Sequence, residues 1–106
     1  YNIGGDNELK NIDVVKTICK ILDNLVPATN SKSYTELINF VQDRPGHDFR
    51  YAIDASKINS KLGWFPKESF TSGIEKTIKW YIDNRYWWQA ILDKTYSHQR
   101  LGVVEK

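Results

Sequence analysis

The chain has 106 residues, 41% of them apolar, with 15 basic and 13 acidic side chains for a net charge of +2. That is the size of one domain, able to bury about two-thirds of its unfolded surface without disulfides. Charges of both signs are mixed along the length, without the basic stripe of a nucleic-acid footprint, and no apolar run approaches the ~18 residues of a membrane helix.

Tyr1-Asn2-Ile3 followed by Gly4-Gly5 reads as a short strand running into a tight loop, and Asp6-Asn7-Glu8 completes that loop. From Asn11 the pattern turns helical. Ile12, Val15, Ile18, Cys19, Leu22 and Val26 recur at helical spacing, Asn11 is placed to cap, Asp13 suits the positive end of the dipole, and Pro27 stops the run. Cys19, the single cysteine, cannot form an internal bridge and reads as a small core hydrophobe of a reducing compartment.

Residues 27–35 are polar and read as a connection, after which Ile38-Asn39-Phe40-Val41 is expected to form a short strand delivering the chain into Asp43. Asp43-Arg44-Pro45-Gly46-His47 then concentrates anion-binding chemistry in a stiff turn. Arg44 offers a planar fork of donors that suits phosphate oxygens, and His47 adds a donor that becomes cationic near neutral pH. Pro45-Gly46 at the centre of a type II turn reverses the chain between them. Taken alone, the same run reads first as an ordinary surface turn with charged neighbours. Asp48 and Arg50 are expected to form a solvated or loop-stabilising pair, with Arg50 a weaker phosphate candidate.

Arg50-Tyr51-Ala52-Ile53 reads as a second extended piece, and Asp54 is expected to cap a helix over 54–62. Gly63 fits the left-handed position after that helix, and Pro66 forbids continuation. Ser69 is the expected cap of a third helix with an apolar stripe of Phe70, Ile74, Thr77, Ile78, Tyr81 and Ile82, in which Gly73 suggests close backbone packing. The last segment carries Tyr86, Trp87, Trp88, Ile91, Leu92 and Tyr96. Adjacent tryptophans cannot share one helix face, so one of Trp87 and Trp88 should lie off the core.

The turn at residues 43–54, the opening Tyr1-Asn2-Ile3-Gly4-Gly5-Asp6-Asn7-Glu8, Ile58 through Trp64 with Pro66, and Ser72-Gly73-Ile74 with Lys76-Thr77 and Trp80-Tyr81 together resemble the dTDP-glucose 4,6-dehydratases, a family of extended short-chain dehydrogenases/reductases. The resemblance covers residues 1–84, in order and with family-like spacing, and leaves 85–106 as a divergent aromatic tail. It implies an α+β, helix-dominated fold: a single C-terminal substrate-binding domain whose Rossmann core lies elsewhere. The absence of methionine and the opening on a strand-like segment agree with a piece of a longer polypeptide.

In the family, NAD⁺ oxidises C4 of the glucosyl unit, water leaves across C5 and C6, and the hydride returns to C6. That chemistry needs a Gly-rich dinucleotide turn and a Tyr-x-x-x-Lys pair, and this sequence has neither, so the fragment alone is expected to be inactive. What the resemblance assigns here is substrate binding by Asn7, Asp43, Arg44, Pro45, Gly46 and His47, with NAD held by a missing N-terminal domain. Asp43, a carboxylate beside a diphosphate, is expected to fix the turn rather than touch the ligand.

Asp6 stands where the family more often has histidine, and Phe49 where a second arginine is common. Both lower the local positive charge. Tyr96 reaches the site by resemblance alone, and His98 reads as a surface histidine. No metal-ligand grouping is visible. A cytoplasmic location and a homodimeric whole protein are implied. The alternatives are a UDP-sugar epimerase or decarboxylase of the same architecture, and a non-enzymatic helical module docking a partner through Trp87-Trp88.

Overall fold

A computed structural model of the chain describes residues 1–48 and 50–95. Among the described residues four α-helices follow one another: α1 (Asn11–Leu25), α2 (Ser56–Leu62), α3 (Phe70–Asp83) and α4 (Arg85–Thr95), with a 3₁₀ turn at Tyr34–Leu37 between α1 and α2. The helix-dominated expectation holds, but the strands do not form. Among the described residues the only sheet-like pairing is an isolated antiparallel bridge between Lys10 and Arg50. Ile38 is extended, as the β-prone run requires, but extended backbone becomes a strand only when a neighbour pairs with it along a ladder.

The apolar stripe of α1 forms as expected and buries Cys19. Its start differs by one residue. Lys10, held extended by the bridge to Arg50, occupies the N-cap position, its carbonyl accepting from Asp13 N–H at 2.9 Å and Val14 N–H at 3.2 Å, so Asn11 is the first helical residue rather than the cap. At the other end Val26 N–H closes on the Leu22 carbonyl at 2.8 Å, and Pro27 ends the run.

The polar connection is tied down by Asp23. Its carboxylate accepts from Ser33 Oγ at 2.6 Å and from Tyr34 N–H at 2.8 Å, seating the 3₁₀ turn on α1.

The short helix α2 ends as the sequence requires: Gly63 adopts φ of 61° and its N–H returns to the Asn59 carbonyl at 2.9 Å. Its start is Ala55, with Asp54 one position outside, yet the Asp54 carboxylate still accepts from Ser56 N–H at 2.9 Å. That bond, and the Ser56 hydroxyl after it, hold the Asp54 carboxyl below its ordinary range.

Ser69 caps α3 in a reciprocal box with Ser72. Glu68 adds a carboxylate that accepts from Ser72 Oγ at 2.6 Å and pairs with Lys76; the Lys76 contact comes first in holding the Glu68 carboxyl low. Gly73 is not a site of close packing: a Cβ there would meet Glu68 Cβ at 3.6 Å, an ordinary contact.

Helices α1 and α3 pack together and α4 packs on α3. Ile78 is buried. Trp88 is half-buried, its indole N–H donating to the Tyr81 carbonyl at 2.8 Å, while Trp87 is exposed and stands edge-on to Trp80 with centroids 5.3 Å apart. The expected division between the two tryptophans holds. Among the described residues no helix is long and apolar enough to cross a membrane.

Candidate functional site

The turn at residues 43–48 has the geometry its residues dictate. Pro45 and Gly46 form its centre, Gly46 has φ of 72°, and His47 N–H donates to the Arg44 carbonyl at 3.3 Å, as in a type II turn. A Cβ at Gly46 would meet nothing within 4 Å, so it is the positive φ that calls for glycine here.

Asp43 stiffens the turn from inside. One carboxylate oxygen accepts from Arg44 N–H at 2.9 Å and from His47 Nδ1 at 2.7 Å. Because an ionised carboxylate only accepts, Nδ1 carries the proton, and Nε2 remains the outward-acting nitrogen, an acceptor in the neutral ring and a donor in the imidazolium. The expected turn-fixing position of Asp43 is therefore occupied, with the His47 ring and a backbone amide as partners. Arg50 is not among them: its guanidinium meets Glu8 Oε2 at 2.7 Å, which replaces the expected pairing with Asp48. The Arg44 guanidinium forms no ion pair among the described residues.

Arg44 and His47 face a common cleft of about 760 Å³, lined also by Asp43, Asp48, residues 38–41 and Asn11, Ile12 and Val15 of α1. That volume lies in the range of small-molecule sites. The opening turn of α1 puts the positive end of a helix dipole at one wall. Phe40, 82% exposed, supplies an aromatic face on another. These α1 residues were not marked by the sequence, whose periodicity reports a buried stripe and says nothing of which helix end borders a cleft.

Asn7 lies outside this lining, as do Pro45 and Gly46. The Asn7 side-chain amide donates to the Gly5 carbonyl, the local turn-forming geometry open to an asparagine after glycines, and Asp6 before it adopts φ of 52°. The loop is nevertheless joined to the segment after the turn. Besides the Lys10–Arg50 bridge and the Glu8–Arg50 pair, a Cβ at Gly4 would lie 3.0 Å from Ile53 Cβ and 3.2 Å from the Ile53 carbonyl oxygen, and Lys57 Nζ lies 5.5 Å over the Tyr1 ring. Tyr96 and His98 fall outside the described residues, and among those residues no group of three or more metal-ligating side chains occurs.

Residues 1–77 match the family described as GDP-mannose 4,6 dehydratase, and the chain belongs to that family of dehydratases. The individual proteins it is similar to carry a more specific name. It is 59% identical over 107 residues to the dTDP-glucose 4,6-dehydratase of Escherichia coli, covering 99% of this chain and 30% of that protein. It is 57% identical over 105 residues to the dTDP-glucose 4,6-dehydratase of Neisseria meningitidis serogroup B, covering 97% and 30%. The crystal structure of dTDP-glucose 4,6-dehydratase from Bacillus anthracis in complex with NAD superposes with a TM-score of 0.62 at 38% identity, covering 86% of this chain and 26% of that one. The chain thus spans about 30% of the length of the curated relatives it matches.

Among the described residues no glycine-rich turn of the kind that cradles NAD is formed. A dinucleotide site needs a Gly-rich turn between a strand and a helix; here Gly4-Gly5 precede α1 without a strand, Gly46 sits in the Arg44–His47 turn, and Gly63 ends a helix.

Proposed function

We propose that this chain is the C-terminal, nucleotide-sugar-binding portion of a dTDP-glucose 4,6-dehydratase, one domain fragment over residues 1–106. In the whole enzyme dTDP-glucose loses water to give dTDP-4-keto-6-deoxyglucose for deoxysugar synthesis of the rhamnose type. The Rossmann core, NAD and the proton-transferring residues come from the N-terminal domain absent here. The intact protein is a cytoplasmic homodimer, and the 106-residue piece alone has no dehydratase activity.

One observation carries the reading: a guanidinium without an ion-pair partner among the described residues, and an imidazole oriented by Asp43, line the same cleft. Charge-assisted bonds from such a pair to phosphate oxygens are about twice as strong as neutral ones. Gripping the non-reacting diphosphate is also how an enzyme holds a distant hexose in position for hydride transfer. Arg44 serves as the bidentate diphosphate donor, His47 as a second donor, Pro45 and Gly46 as the bend that brings them together, and Asp43 as the support of His47. Asn7 contributes a neutral contact from the neighbouring loop.

The test is a titration of the full-length enzyme with dTDP-glucose and UDP-glucose in parallel. Binding and turnover of dTDP-glucose are expected. Turnover of the UDP-sugar alone would assign the chain to an epimerase or decarboxylase instead.

A further inference from the structure

The loop bearing Asn7 and the turn bearing Arg44 and His47 are far apart in sequence, with α1 and the 3₁₀ turn between them. The first loop meets the segment just after the turn along one seam, and Arg50 is its centre. The Arg50 backbone bridges Lys10, its guanidinium reaches across 42 residues of chain to Glu8, and three positions later Ile53 fills the space a side chain at Gly4 would need. Glu8 is the residue after Asn7, and Arg50 lies three beyond His47. Each partner of this ion pair is therefore within three residues, in sequence, of a donor of the candidate site.

We infer that Glu8 and Arg50 are positioning residues: their ion pair sets the distance between the Asn7 loop and the Arg44–His47 turn, so that one nucleoside diphosphate meets both. This rests on the functional reading above and assigns to it two residues that do not themselves touch the ligand. The side chains are 52% and 58% exposed, and an ion pair so placed adds little to global stability. Its effect is local, on the registry of two irregular segments that also meet at the Lys10–Arg50 bridge and the Gly4–Ile53 contact. Engaging Arg50 with Glu8 also withdraws that cation from the phosphates and leaves Arg44 as the cleft's strong donor.

The experiment uses the full-length enzyme and four forms: wild type, Glu8→Gln, Arg50→Gln and the charge-swapped double variant Glu8→Arg with Arg50→Glu. Each single variant is expected to weaken dTDP binding by calorimetry, and to raise KM for dTDP-glucose, on the order of fivefold, the scale of one exposed pair. kcat and the melting temperature should be unchanged, and the swap should restore binding to within about twofold of wild type. If Arg50→Gln weakens binding while Glu8→Gln does not, Arg50 is a direct phosphate ligand and the clasp is wrong.

Unchanged affinity in both single variants would also overturn it. A wild-type enzyme that fails to bind dTDP sinks the functional reading by itself. The clasp is then judged by amide exchange in Glu8→Gln: faster exchange at Lys10 and Arg50 with α1 and α3 unaffected supports it, and unaltered exchange there refutes it.

Discussion

The helical part of the molecule and the part that carries the candidate site are held by different forces. Among the described residues Cys19, Ala55, Ile58 and Ile78 are the buried apolar ones, all on helices or at a helix cap, whereas the described residues of 1–10 and 38–54 include none. The helices gain from burial, which is non-directional and tolerant of small shifts. The site segments depend on a type II turn, a carboxylate–imidazole contact, one ion pair and one backbone bridge, each of which is directional. A change in the first region should therefore appear as lost stability, and a change in the second as lost binding.

The largest separation is expected from Ile78→Ala, which removes a buried side chain from the face of α3. Unfolding in urea followed by far-ultraviolet circular dichroism should show a loss of about 2–5 kcal/mol. A loss under about 1 kcal/mol would place the core elsewhere.

Arg44→Ala in the full-length enzyme should do the reverse. Affinity for dTDP-glucose is expected to fall by about 2 kcal/mol or more, roughly thirtyfold, at unchanged stability. An unaltered dissociation constant would remove Arg44 from the site.

Gly63→Ala tests the helical region more gently. With φ of 61° and nothing within 4 Å of a new Cβ, the cost is backbone strain alone, about 1 kcal/mol in the same unfolding assay.

Smallest is a pH effect at α2. The folded Asp54 carboxyl lies below its ordinary value of 3.8, so its contribution is fully present above that value and is lost as pH falls through the depressed folded value. Exchange of the Ser56 amide should quicken over that window, and Asp54→Asn should abolish the dependence.

Helix periodicity and turn chemistry were legible because both are written within a few residues of each other. The stripe of α1, the Ser69 cap, the left-handed Gly63 and the Pro45-Gly46 bend all formed as read. Apart from the cap of α2, which falls one residue later than read, what failed depended on partners distant in the chain. Ile38-Asn39-Phe40-Val41 has the composition of a strand, but composition cannot supply a neighbour with which to pair, and the segment stays irregular.

Arg50 was matched to Asp48 by proximity in sequence, whereas folding brings it Glu8. The one-residue error at Asn11 has the same origin, since the Lys10 bridge to Arg50 fixes where α1 begins. Of the candidate site, the Pro45-Gly46 bend and the turn-fixing place of Asp43 were readable because a turn is local, whereas the His47 ring as its partner was not foreseen. That α1 forms one wall of the cleft was not, because it depends on how the segments pack.

The placement of the indoles decides what an optical experiment on this chain would report. All four tryptophans fall between positions 64 and 88, with Trp88 tethered to the Tyr81 carbonyl and Trp80 standing against Trp87, and none borders the cleft of Arg44 and His47. Intrinsic emission from this chain is thus a gauge of helix melting, and occupancy of the cleft would pass without a signal unless a fluorophore were introduced beside it.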